Sequence, residues 1–113
     1  MRGPYSSSLT ISDPKFAVAD LEGFSAITRR AKIPLIVDAN FSAAGFFCQP
    51  ARFGVDIIIH SATKCIGGHG TTLGGVIIVS SPLQGEVLEG SCLQAAYSTP
   101  MALLVIYSIT STI

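Results

Sequence analysis

The run His60-Ser61-Ala62-Thr63-Lys64-Cys65-Ile66-Gly67-Gly68-His69-Gly70 takes one lysine out of an apolar strand and into a glycine-rich turn, with two hydroxyls beside it. In open α/β sheets ligands bind outside the carboxyl ends of the strands, so Lys64 is expected at a binding rim. A lysine held there is partly desolvated, which disfavours its charged form and leaves a neutral amine able to attack a carbonyl carbon. The chemistry indicated is a Schiff base with an aldehyde. Ser61 and Thr63 offer hydroxyl donors to an anionic group, while Gly67, Gly68 and Gly70 let backbone approach a ligand closely. Together they suit an aldehyde that also carries a phosphate. The plainer reading is a strand end capped by Lys64, with the glycines making a turn.

Asp38 ends another apolar run, Leu35-Ile36-Val37, so neighbouring strands would bring a carboxylate and an amine to the same rim. A pyridine-type cofactor needs an anionic partner to keep its ring nitrogen protonated and a lysine on its aldehyde. Those are the protein parts that serve pyridoxal phosphate (PLP). An Asp capping the next turn satisfies the same spacing.

Two other chemistries fit less well. His60, Cys65 and His69 are candidate zinc ligands, since imidazole and thiolate suit that ion, but a fourth ligand and a CxxC companion are not evident. A phosphate-binding P-loop fails on order, because G-x-x-x-x-G-K-[ST] puts its glycines before the lysine and here they follow it. Phe41, Phe46 and Phe47 are expected in the core, as aromatics beside a buried strand usually are.

The elements that must position these groups follow from periodicity. Apolar residues at helical spacing, Leu21, Phe24 and Ile27, predict a helix from about Ala19 to Arg30 with that face buried. Asp20 and Glu22 in its first turn and Arg29 and Arg30 in its last complement the macrodipole. Ile33-Pro34 ends it, and Leu35 to Val37 follows as a buried strand. Asn40 to Gly45 reads as a small-residue loop and Pro50 to Gly54 as a short helical turn. Strands are predicted at Val55 to His60 and at Gly74 to Val79, the last not necessarily parallel. Met101 to Tyr107 reads as a core segment or an aggregation-prone strand. Gly85 to Ser98 has no clear period. The fold class is α/β, with a mainly parallel sheet and flanking helices.

At 113 residues the chain is one domain at most, and short for a complete doubly wound enzyme. It is 49% hydrophobic and 12% charged, against about 25% charged for an ordinary soluble domain. Its mean hydropathy is +0.56, as expected of a chain that either packs against further segments or aggregates. Seven basic and seven acidic residues cancel, so no electrostatic footprint for nucleic acid exists. No apolar run reaches the roughly 20 residues that span a bilayer, and the N-terminus has no secretory h-region. Three cysteines, Cys48, Cys65 and Cys92, form no even framework, which indicates a reducing, cytoplasmic setting.

Several blocks resemble the PLP enzymes of cysteine and methionine metabolism, most closely the fungal-type O-acetylhomoserine sulfhydrylases. They are Asp13-Pro14-Lys15, Ile33-Pro34-Leu35-Ile36-Val37-Asp38, Gly45-Phe46-Phe47-Cys48-Gln49-Pro50 and the run from His60 to Val79. The resemblance covers roughly Ser12 to Val79. It implies part of the fold-type-I large domain at 12–80, between divergent segments at 1–11 and 81–113. It implies Lys64 as the Schiff-base lysine, Asp38 as partner of the pyridine nitrogen, and Ser61 and Thr63 as phosphate ligands. An amino-acid substrate, exchange of acetate for sulfide to give homocysteine, and a homotetramer are implied for intact members.

Two departures stand inside the resemblance. Asp13 replaces an Asn near the cofactor's phenolic oxygen, and the family's Asp-Asn-Thr-Phe appears as Asp38-Ala39-Asn40-Phe41, which removes the amide directly after the Asp. The family's remaining phosphate ligands, its stacking tyrosine and its substrate-carboxylate arginine find no match. The chain is therefore expected to be a fragment, inactive alone, with association with longer subunits as a non-catalytic alternative.

Overall fold

The computed structural model describes residues 4–12, 14–70, 73–80 and 103–109. Five strands form one sheet in chain order: β1 (Ser6–Leu9), β2 (Leu35–Asp38), β3 (Ile57–Ser61), β4 (Gly74–Ser80) and β5 (Leu103–Ile109). β1, β2 and β3 run parallel, β4 is antiparallel to β3, and β5 is parallel to β4. The sheet is thus mainly parallel. One helix, α1 (Leu21–Ala31), makes the crossover from β1 to β2 that parallel pairing requires.

α1 starts where Asp20 accepts the Gly23 N–H at 2.9 Å, which satisfies one of the orphan donors of the first turn. It stops at Lys32, which takes the left-handed conformation (φ 55°, ψ 40°) and donates its N–H to Arg29 O at 3.2 Å. Ile33 N–H then closes on Thr28 O at 3.1 Å, so two terminal carbonyls are satisfied before Pro34 enters the strand.

Alternation in β2 divides the core. Leu35 and Val37 are fully buried and pack with Leu21, Ala39, Val55 and Ile58 on the α1 side. Each contributes about 1.5–3 kcal/mol by leaving water. On the opposite face Ile57 and Val79 are buried with Ile36 and Ile77 against them. Asp56 sets the start of the β2/β3 pairing. Its carboxylate accepts the Leu35 N–H at 2.9 Å and its own N–H donates to Leu35 O at 3.1 Å.

Several expectations are corrected. The buried stripe of α1 is Leu21, Ser25 and Thr28, whereas Phe24 and Ile27 are 41% and 65% exposed. Small polar residues face inward because α1 lies against the 50–54 turn, where Ser25 Oγ donates to Gly54 O at 3.2 Å. Phe46 and Phe47 are 84% and 72% exposed and stack edge-on against each other, and Phe41 is exposed in edge contact with Phe16. Asn40–Gly45 is a 3-10 turn rather than a plain loop. Ser6–Leu9 is a paired strand although it reads as polar sequence. The apolar run near Met101 is the strand β5, and Gly85 to Ser98 lies outside the described residues.

Candidate functional site

β2 and β3 run the same way, so their carboxyl ends share one edge of the sheet. Asp38 is the last residue of β2 and pairs in register with Ile59, and Ser61 is the last of β3. Thr63 and Lys64 follow at once in a single wide turn, Ala62–Ile66. β4 enters at the same edge, with Gly75 opposite Ser61. The four residues expected to do chemistry therefore stand at the ends of two adjacent strands.

Asp38 is half-buried and oriented by its neighbour. Its Oδ1 accepts the Asn40 N–H at 3.0 Å, and its Oδ2 receives the Asn40 side-chain amide at 3.5 Å. Asn40 Oδ1 in turn accepts the Ser61 N–H. The Asp38 backbone carbonyl takes both the N–H (3.0 Å) and the hydroxyl (3.4 Å) of Thr10. Asp38 lies in an open groove of about 390 Å³ with Ser7, Leu9, Ile36 and Ile59.

Thr63 is engaged with protein. Its Oγ1 accepts the Gly74 N–H at 3.1 Å and lies 3.4 Å from Gly74 O. The hydroxyl thus closes the base of the loop that begins at Lys64. Lys64 is exposed, which corrects the expectation of a desolvated amine: it sits in the wide turn Ala62–Ile66 just beyond the strand end. Gly68 N–H donates to Lys64 O at 2.9 Å. Gly68 and Gly70 adopt positive φ (73° and 65°), and a Cβ at either would meet nothing within 4 Å.

His60 is 7% exposed and faces the interior of the sheet. Burial lowers its pKa from 6.5, and the backbone at Ala39 and the negative charge of Asp38 oppose that shift. The imidazole is thus held toward its neutral form. Cys65 and His69 are exposed, and His69 Nδ1 contacts Gly67 O at 3.1 Å. Among the described residues no three His, Cys, Asp or Glu side chains converge to hold a metal, so the zinc alternative has no ligand set. Cys48 and Cys65 are free thiols. Asp13 and Cys92 lie outside the described residues. No described helix is long and apolar enough to cross a membrane.

Asn40 bonds both Asp38 and Ser61 at the rim, a placement the sequence alone does not single out. The altered motif reads as loss of an amide, yet an amide stands two residues after Asp38 and binds it. Ala39 is fully buried in the α1-side core, where an amide would need partners of its own.

A second groove, about 470 Å³, lies between α1 and the turn Pro50–Phe53 and is lined by Glu22, Arg29 and Arg52 among others. It shares no residue with the rim.

The profile of the Cys/Met metabolism PLP-dependent enzyme family matches residues 9–101, a wider span than the Ser12 to Val79 resemblance. The homocysteine/cysteine synthase of Saccharomyces cerevisiae is 55% identical over 71 residues, which is 63% of this chain and 16% of that protein. O-acetyl-L-homoserine sulfhydrylase of Leptospira meyeri is 38% identical over 69 residues, 61% of this chain and 15% of its own length. The chain thus spans about a sixth of the curated relatives it matches. Among solved structures, an O-acetylhomoserine (thiol)-lyase assigned in Campylobacter jejuni superposes with TM-score 0.57 at 38% identity. It covers 61% of this chain and 17% of that one, and it carries a pyridoxyl-lysine adduct. Cystathionine γ-lyase of Lactobacillus plantarum, complexed with L-serine, superposes with TM-score 0.69 at 25% identity over 87% of this chain and 25% of its own. The chain belongs to the Cys/Met metabolism PLP-dependent enzyme family.

Proposed function

We propose that residues 12–80 form part of the PLP-binding large domain of an O-acetylhomoserine sulfhydrylase-like enzyme, and that the chain by itself binds the cofactor without completing the reaction. One observation carries this reading: Asp38 and the Ser61-Thr63-Lys64 segment stand at the carboxyl ends of adjacent parallel strands. The donor set matches the cofactor's chemistry, with an acid for the ring nitrogen, an amine for the aldehyde and hydroxyls for the phosphate. The groove beside Asp38 gives the ring an apolar wall.

Asp38 would hold the ring nitrogen, Lys64 the aldehyde carbon, and Ser61 the phosphate. Thr63 joins Ser61 only if its hydroxyl leaves Gly74 or serves both. When bound, PLP supplies an electron sink for charge developing at the substrate's Cα. Lys64 would take the substrate's Cα proton and return it as a general acid. Asp38 keeps a fixed negative charge at the far end of the site, where cationic character must be held. In the intact reaction acetate leaves Cγ and sulfide takes its place, yielding homocysteine.

Titration of the chain with PLP is expected to give a new absorbance band that the Lys64→Ala variant lacks. Addition of O-acetyl-L-homoserine and sulfide is expected to give no homocysteine above the protein-free control. Absence of the band from the unaltered chain contradicts cofactor binding, and steady homocysteine release contradicts inactivity.

A second reading, association with longer subunits of the family, is favoured by the exposed Phe24, Ile27, Phe46 and Phe47. Exposed apolar pairs, Phe46 against Phe47 and Phe24 one turn from Ile27, suit an interaction site. Co-purification with an intact family member tests it, and a monodisperse monomer that ignores that member contradicts it.

A further inference from the structure

We propose that Asn40 is a positioning residue whose side-chain amide joins the Asp38 carboxylate to the backbone of Ser61, holding the ring-nitrogen anchor and the Lys64 segment in one relative placement. The inference rests on the cofactor reading above. Asn40 lies between the two anchors in the chain and bonds both: Oδ1 accepts the Ser61 N–H, Nδ2 reaches Asp38 Oδ2 at 3.5 Å, and the Asn40 N–H donates to Asp38 Oδ1 at 3.0 Å. The Asn40 amide carries its acceptor and its donors on separate atoms, so it can serve a backbone N–H and a carboxylate together.

The backbone on both sides is already fixed. Ala39 N–H donates to Ile59 O at 2.9 Å, so β2 and β3 stay paired up to the residue before Asn40. Beyond that point the strands end, and the Asn40 side chain is the next link between the two chain segments. The 3-10 turn that starts at Asn40 is closed independently, by Ser42 Oγ donating to Ala39 O at 2.7 Å. Loss of the amide is therefore expected to loosen Ser61 and Asp38 relative to each other without opening the turn.

Two substitutions separate the parts. Asn40→Ala removes both bonds of the side chain. Asn40→Asp keeps an acceptor for Ser61 but faces Asp38 with a carboxylate instead of a donor. Amide hydrogen exchange without cofactor is expected to show Ser61 exchanging about tenfold faster in Asn40→Ala and near the unaltered rate in Asn40→Asp, the factor for loss of one ordinary hydrogen bond. Ala39 should keep its protection in both, which shows that the fold is intact. PLP is then added, fixed with borohydride and mapped by mass, and the dose for half-labelling of Lys64 is read. That dose is expected to rise about threefold in both variants, within the net worth of one ordinary hydrogen bond, because the contact to the carboxylate is long.

Unchanged Ser61 exchange in Asn40→Ala overturns the link to the Lys64 segment. Normal labelling in Asn40→Asp overturns the link to Asp38. If the unaltered chain takes no label on Lys64, the cofactor reading fails and the positioning role for that cofactor fails with it. The exchange result still decides separately whether Asn40 bridges the two strand ends.

Discussion

Thr63 and Gly74 clasp one another across the loop that carries Lys64: the threonine hydroxyl accepts the Gly74 N–H at 3.1 Å and lies 3.4 Å from the Gly74 carbonyl. The first residue after β3 but one is thereby fastened to the first residue of β4, and the loop's ends cannot drift apart.

Thr63→Val keeps the shape and removes the acceptor. It is expected to cost about 0.5–1.5 kcal/mol, the net worth of an ordinary hydrogen bond. Thr63→Ser should restore most of it. Limited trypsin digestion reads the effect locally, with cleavage after Lys64 faster in the valine variant and near normal in the serine one. Equal cleavage in all three contradicts a closing role for the hydroxyl.

Asp56 and Leu35 exchange two hydrogen bonds where β2 begins. Asp56→Ala leaves the N–H of a fully buried residue without its carboxylate acceptor, and a loss of about 1–3 kcal/mol is expected. Asp56→Asn retains an oxygen acceptor and should lose less than half of that. Urea midpoints at neutral pH measure both, and an alanine variant as stable as the unaltered chain would show that the pair sets no register.

His60 makes stability depend on pH. Burial lowers its folded-state pKa below 6.5, against weaker opposition from the backbone at Ala39 and the charge of Asp38. Between the two pKa values the unfolded chain binds more protons, so stability rises with pH there. The contribution is complete above 6.5 and is lost as pH falls from 6.5 through the lower folded value. Urea midpoints at pH 7.5 and 5.5 should differ in that direction. The difference should shrink in His60→Gln, and a slope unchanged by that substitution would assign it to other groups.

How much of this was legible in the sequence depends on what each residue touches. β2 and β3 are short apolar runs bounded by turn residues, and both were readable to within a residue or two at each end. β1 was not, because Ser6-Ser7-Ser8-Leu9 has no apolar alternation and its pairing at the sheet edge asks for none. The inward face of α1 is not legible, because Ser25 and Thr28 are polar, and only their carbonyl acceptors, Gly54 O and Ser25 O, explain why small hydroxyl side chains lie inside. Phe46 and Phe47 follow the opposite error, since residue type alone says nothing of what covers it. At the rim, Asp38 and the Ser61 to Lys64 segment were readable from strand ends and residue chemistry. Asn40 was not, because its role exists only once β2 and β3 lie side by side and bring Ser61 to it.

The central claim is a cofactor bonded to Lys64 and gripped by Asp38, and mass mapping after borohydride reduction of the PLP-treated chain tests it most directly. The account predicts a single pyridoxyl group, carried by the peptide that contains Lys64, with labelling about tenfold weaker in Asp38→Ala, as for loss of a charge-assisted contact. Label spread evenly over Lys15, Lys32 and Lys64, indifferent to Asp38, would contradict it.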